Sequence, residues 1–421
     1  MNTRGASGGV APGAGSGRGD GGRQGGRHGG RGIGAGLPIG DLLALGGLIV
    51  VAIVSLTLLT GNLPLAAGGG GGGGGGPIRT PTPSNIVIVD PRANVPGSIV
   101  YVKAGNIWLQ HGEKAAALTD GGHDAMPSFT ADGQWIYFIR TADEVGRWTV
   151  GGVFARYRLS MPTLMRVRAD GSAPPEALLT GRVKSGSFTW SYFMRQPVVS
   201  PDGTTIVLVT DGPDPTKSDV VLKRFDPGTG ELTSLKAPEF PPLGHQDPAW
   251  SPNGRYLLYV KNSRDGSRGA PVIVRYELKT GKVFGLTGPG YTAPAWSPDG
   301  RYVAATRTTS FGTDVVILDA AHGRELLRIT TDERSFDPVW SPAGDALAYF
   351  SLDGGVTDLW EVKLDLASGP AVVGDPLQLT IAAGLDAASR PDWFIPADQL
   401  PTPPPTPVPT ASPAPSVSSA P

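Results

Sequence analysis

Three aspartates stand at comparable places in a repeating sequence. Asp247 and Asp337 directly precede prolines, in Asp247-Pro248-Ala249-Trp250 and Asp337-Pro338-Val339-Trp340, and Asp124 lies three residues before Pro127. A ring of such acids at a channel mouth could hold a cation, an amine or a basic peptide. The same side chains could instead bond turn amides, as aspartate often does. A second stretch is crowded with arginine and aromatic residues: Arg147, Trp148, Phe154, Arg156, Tyr157 and Arg158, then Phe188, Trp190, Tyr192, Phe193 and Arg195. Arg, Trp and Tyr are the types most enriched in interface hot spots, although aromatics can also cover an enlarged core. The candidate binding residues are therefore Trp148, Arg156, Tyr157, Arg158, Trp190 and Tyr192, with Asp124, Asp247 and Asp337. Asp211 and Asp214 could offer oxygens to Ca²⁺, but the remaining ligands of such a loop are not evident.

Catalytic and cofactor motifs are scarce. The only G-x-S-x-G string, Gly5-Ala-Ser7-Gly-Gly9, sits in an Arg/Gly-rich tail and not on the strand-turn-helix that a nucleophile elbow requires. The five histidines show no metal spacing, and no phosphate-binding or dinucleotide fingerprint occurs. There is no cysteine, which excludes disulfides, thiolate nucleophiles and Cys-based metal centres. The formal net charge of −1 gives no overall bias toward nucleic acid. No cofactor, metal or nucleic-acid partner is expected.

The elements that must position these residues are set by an internal repeat. Pro127-Ser-Phe129, Pro197-Val-Val199, Pro248-Ala-Trp250, Pro294-Ala-Trp296, Pro338-Val-Trp340 and Pro391-Asp-Trp393 recur at 44–70-residue spacings, a range reaching the length of a four-stranded propeller blade. Five of the six run into a turn of the type SPDG, as at Ser297–Gly300. There proline presets φ, Asp or Asn bonds locally and Gly supplies the left-handed corner. Apolar strands such as WIYFIR and YLLYVK follow, and units close near a Leu-Thr or Ile-Thr pair. The sixth unit is split: after Pro391-Asp-Trp393 the globular pattern stops, and its three missing strands (SIVYV, NIWLQ, AAALT) open the domain. A C-terminal strand completing the N-terminal blade closes the ring and removes its sheet edges. The fold class is all-β, a six-bladed β-propeller over 97–396.

The P-x-W-S-P-D-G motif, with its intervening strands, resembles the WD-like repeat of TolB-type propellers, shared with the propellers of prolyl-oligopeptidase-class peptidases. The resemblance covers about 97–395. It implies docking of envelope proteins or peptides at the ring's face or channel. The chain departs from TolB in carrying an apolar span and in lacking a segment that reads as the N-terminal α/β domain.

Outside the propeller the composition changes. Residues 1–36 read as a disordered Arg/Gly-rich tail and 37–62 as a transmembrane helix built on the uncharged 19-residue run Leu42–Thr60. The 63–96 stretch is a Gly/Pro-rich linker, and 397–421 a disordered Pro-rich tail. Arginines precede the span and none cluster just after it, which puts the N-terminus in the cytoplasm and the propeller outside. Cleavage near Leu65-Ala66-Ala67 is the alternative to a retained anchor. The nine-glycine run and the absence of cysteine suggest a bacterial chain. The expected function is a non-catalytic, membrane-anchored propeller binding an envelope protein or peptide. The alternatives are a metal-dependent lyase- or lactonase-like enzyme and a cell-wall glycan-binding module.

Overall fold

The computed structural model describes residues 80–150, 152–212, 221–235, 244–261 and 271–401. The apolar run Leu42–Thr60, residues 1–36 and residues 402–421 lie outside them, whereas the start of the expected C-terminal tail is ordered, with a 3-10 turn at Ala397–Gln399 and Leu400 packed against the core. Among the described residues no helix is long and apolar enough to cross a membrane.

Six antiparallel sheets follow one another along the chain, numbered here from the split one. Blade 1 joins the innermost strand Asp392–Phe394 to Ser98–Lys103, Asn106–His111 and Lys114–Ala117, with Ile99 opposite Trp393. The split unit therefore closes the ring as the repeat requires. Blades 3 to 6 are four-stranded, with inner strands Met194–Val199, His245–Trp250, Tyr291–Trp296 and Ser335–Trp340. Blade 2 has its inner strand at Asp124–Phe129. Its next two strands, Trp135–Val150 and Val153–Arg168, run to 16 residues each, and an additional hairpin, Arg182–Ser185 with Phe188–Ser191, pairs to them.

Second strands are buried on both faces because each blade is sandwiched by its neighbours, so they read as continuous apolar runs. Alternate residues go to opposite interfaces: Ile99 and Tyr101 pack toward blade 6, and Val100 and Val102 toward blade 2. Equivalent apolar clusters fill the other blade junctions.

The repeat residues have matching tasks. In the first turn of blades 2 to 6 the glycine amide donates to the carbonyl of the Thr or Ser three residues earlier, at 2.8–2.9 Å. The closing threonine is equally regular. Oγ1 of Thr119, Thr287, Thr330 and Thr380 accepts from the amide of Ile107, Ile273, Val315 and Leu359 at 2.9–3.0 Å.

Residues 82–95, part of the linker in the sequence reading, are laced to the propeller. Thr82 donates its amide to Ala382, and Asp90 its amide to Leu379. Ala93 and Val95 enter the core between blades 1 and 6. The buried Lys103 ammonium donates to the Thr82 hydroxyl and the Ile86 carbonyl, each at 2.6 Å.

Candidate binding site

Each inner strand of blades 2 to 6 carries a β-bulge at its proline. In blade 4, Gln246 pairs with Val260 and Ala249 with Leu258, so one extra residue is accommodated on the inner strand. The residue before the proline then takes a left-handed backbone, with φ of 58° at Met126, 51° at Gln196, 53° at Asp247, 48° at Ala293 and 52° at Asp337. That conformation is uncommon for non-glycine residues and costs free energy, so its surroundings must hold it.

The holding is done by a ring of hydrogen bonds passed from blade to blade. The Asp247 amide donates to Oε1 of Gln196 (2.9 Å), and Gln196 Nε2 donates back to Oδ1 of Asp247 (2.5 Å). The Ala293 amide donates to Oδ2 of Asp247, the Gln196 amide to the Met126 thioether, and the Met126 amide to Oγ of Ser389. Ala293 has no acceptor side chain, and the Asp337 amide is met instead by Oγ1 of Thr306 at 2.9 Å. Each of these backbone amides reaches the preceding blade.

This ring floors a cavity of about 490 Å³ that opens at the first-turn face. Its wall is apolar: Trp250, Trp296, Trp340 and Trp393, the turn prolines, and Phe129 against Phe394. The tryptophans also tie blades together, Trp340 Nε1 donating to the Ala295 carbonyl at 3.1 Å and Trp250 Nε1 to Val198 at 3.3 Å. The floor is polar, with Gln196, Asp247, Asp337 and Arg390. Arg390 reaches from blade 1 to the Pro294 carbonyl of blade 5 (2.9 Å). Burial foremost, with the charges of Asp247 and Asp386 and against the opposing Arg390, pushes the Asp337 carboxyl up to about 7. Arg195 is open to solvent by surface area, yet desolvation lowers its pKa against the pull of Asp247 and Asp386. Both observations fit a side chain in a water-accessible throat.

The three aspartates thus part company. Asp247 and Asp337 reach the cavity. Asp124 does not: its buried carboxylate is held bidentately by Arg140 at 2.6 and 2.8 Å. Asp211 accepts the Phe193 amide at 2.7 Å, and Asp214 lies outside the described residues. Among the described residues no group of three or more His, Asp or Glu is placed to hold a metal ion.

The Arg/aromatic stretch forms a finger. Asp124 pairs with Arg140, so residues 141–150 and their partners run past the inner strand, and the 182–191 hairpin packs on their flank. Trp148, Phe188 and Trp190 cluster with ring centroids 5.2–5.3 Å from Trp148. Tyr157 donates to the Thr189 carbonyl, and the buried Tyr192 to that of Thr180. These aromatics fill the joint between the two hairpins. Arg158 is paired with Asp143. Arg156 is exposed, directly opposite Arg147. The finger is a second-to-third-strand hairpin, whereas the funnel opens at first-to-second-strand turns. The two features therefore lie on opposite faces of the ring.

Comparison with solved structures gives similarity to TolB from Acinetobacter baumannii, 18% identical with a TM-score of 0.50, over 70% of this chain and 66% of that one. The chain has the TolB-type propeller fold. It spans just under two thirds of that protein's length. A putative TolB from Agrobacterium tumefaciens is similar over 72% of this chain and 95% of its own, at 16% identity and a TM-score of 0.48. An oligogalacturonate lyase in complex with manganese gives 15% identity and a TM-score of 0.41, over 68% and 74% of the two chains. Scores below 0.5 bear on neither ligand nor activity. No family profile and no curated protein matches the sequence. The residues that sequence reasoning missed in this TolB-type propeller are Gln196, Met126 and Arg390. All three precede a repeat proline, as Asp247 and Asp337 do, and that shared position was the available signal.

Proposed function

We propose that the chain is a non-catalytic, membrane-anchored extracytoplasmic propeller that binds an extended protein segment in its funnel. The observation that carries this reading is the funnel itself. An aromatic and proline wall leads to a floor where Asp337 and Asp247 lie near each other and Arg390 is held by a backbone carbonyl. Such a site takes an apolar side chain against the tryptophans and a cationic or hydrogen-bond-donating group at the carboxylates. The uncharged run Leu42–Thr60, with arginines before it, supports the anchor.

The test is a peptide array probed with the detergent-solubilised full chain. Peptides carrying an aromatic residue beside a lysine or a free N-terminus are expected to bind. Binding should fall at least tenfold in Trp296→Ala and in Asp337→Asn. Equal binding by wild type and both variants would remove the funnel as the site.

A further inference from the structure

We infer that the blade 2 finger contacts the surface of an anionic phospholipid bilayer. The inference rests on the anchor reading above and adds a second, peripheral contact to it.

The first observation is an uncompensated charge. Arg147 and Arg156 face each other directly across the finger, at about 4.5–5.5 Å between Cβ atoms for such a pair. Like charges so placed oppose pairing of the strands. Both are exposed, and among the described residues neither has an acidic partner, although Arg158 and Arg182 nearby have Asp143 and Glu144. The two guanidiniums present adjacent donor forks suited to phosphate oxygens.

The second observation is the distribution of exposed apolar residues. Val145, Val153 and Phe154 on the finger are 63%, 69% and 50% exposed, and Phe311 is 89% exposed at the second-to-third-strand turn of blade 5. All four belong to one face of the ring. None of the exposed large hydrophobic residues among the described ones lies at the funnel's first-to-second-strand turns, although Val372 and Val373 are exposed on that face, beside the third-to-fourth-strand turn of blade 6. On the finger itself Val153 and Phe154 are at the tip with Arg147 and Arg156 just behind them, and Val145 lies behind the arginines. The tip and the arginine pair match the depth order of a bilayer interface, chains below and phosphates above.

The third observation is where the described chain begins. Thr82 is held by Lys103, which ends the second strand of blade 1 beside its turn, and Ala382 takes the Thr82 amide. The first described residues, from Thr80, therefore lie at the same face as the finger. Residues 141–150 extend roughly 30 Å as a strand.

The absence of cysteine allows single-site labelling of the full chain. V153C and, on the opposite face, T204C would carry an environment-sensitive fluorophore. Each protein would be reconstituted into phosphatidylcholine vesicles with or without phosphatidylglycerol. The Val153 label should shift to the blue and be quenched by lipid-borne quencher when phosphatidylglycerol is present, while the Thr204 label stays in water. Adding R147Q and R156Q should lower the ratio of inserted to free finger roughly 30-fold, which is about 1 kcal/mol for each arginine charge removed from an anionic surface. If the protein floats with vesicles yet both labels report water, the finger proposal falls and the anchor stands. If the protein does not float at all, both fall. A Val153 label shielded only on adding an acidic protein, and not by lipid, would also overturn it.

Discussion

The amide of Ala293 donates to Oδ2 of Asp247, 46 residues earlier and one blade back, at 3.0 Å. Oδ1 of the same carboxylate takes Gln196 Nε2. One aspartate thus links three successive blades: its carboxylate holds the strained backbone of Ala293 and the Gln196 side chain, whose Oε1 in turn holds the strained backbone of Asp247 itself. Asp247→Ala orphans two donors and should destabilise the propeller by about 1–3 kcal/mol. Asp247→Asn keeps one acceptor and should cost less. Denaturant melts of the pair give the ranking, and an Ala variant no less stable than the Asn variant would contradict the ring's role.

Asp337 offers a pH signature. Its carboxyl is raised from 3.8 to about 7, so between those values the folded state binds a proton that the unfolded state has released. Stability is therefore highest below the lower value and declines as pH rises toward about 7. The penalty is complete above it, at most about 4 kcal/mol and less to the extent that water enters the funnel. Asp337→Asn should remove this decline and be more stable than wild type at pH 8, with little difference at pH 4. Parallel thermal melts across that range decide the point. A cationic ligand at the funnel floor should bind more tightly as pH rises through 7.

Gly133 and Gly203 occupy the same corner of the repeat turn, with φ of +67° and +71°. An added Cβ at Gly203 meets nothing within 4 Å, whereas at Gly133 it would lie 2.1 Å from the Phe394 ring of blade 1. Both alanine variants incur roughly 1–2 kcal/mol of left-handed strain. Gly133→Ala should lose a further 1–3 kcal/mol or so by overpacking at the ring closure. Comparison of their unfolding midpoints tests whether that junction is rigid.

The repeated threonine has a measurable value. Thr380→Val keeps the shape but leaves the Leu359 amide without its acceptor, and Asp358 without a hydroxyl donor. A loss of about 1–3 kcal/mol is expected. An unchanged midpoint would show that water replaces the hydroxyl.

The ring was legible because its signals recur: a proline, an aromatic residue and a glycine turn at steady intervals, and a last unit missing three strands that open the domain. The site was only half legible. Asp247 and Asp337 share the pre-proline position, but the bulge that turns this position into the channel leaves no mark in residue type. Asp124, two residues before that position, stays outside the bulge and finds Arg140. Nor could composition separate Trp148 and Trp190, which pack on each other across two hairpins, from Arg147 and Arg156 on the open side. Sequence alone does not say which face of a long hairpin a second hairpin will cover.

The funnel as binding site is the claim on which the functional reading stands, and site-specific photo-crosslinking tests it most directly. The full chain would carry a benzophenone amino acid in place of Trp296, and in a second version in place of Thr233 on the outer strand of blade 3, in intact cells. A discrete adduct from position 296, absent from position 233 and mapping to one extended segment of a partner, is the expected result. Adducts equal at the two positions, or none at 296 while the protein is folded and membrane-bound, would contradict it.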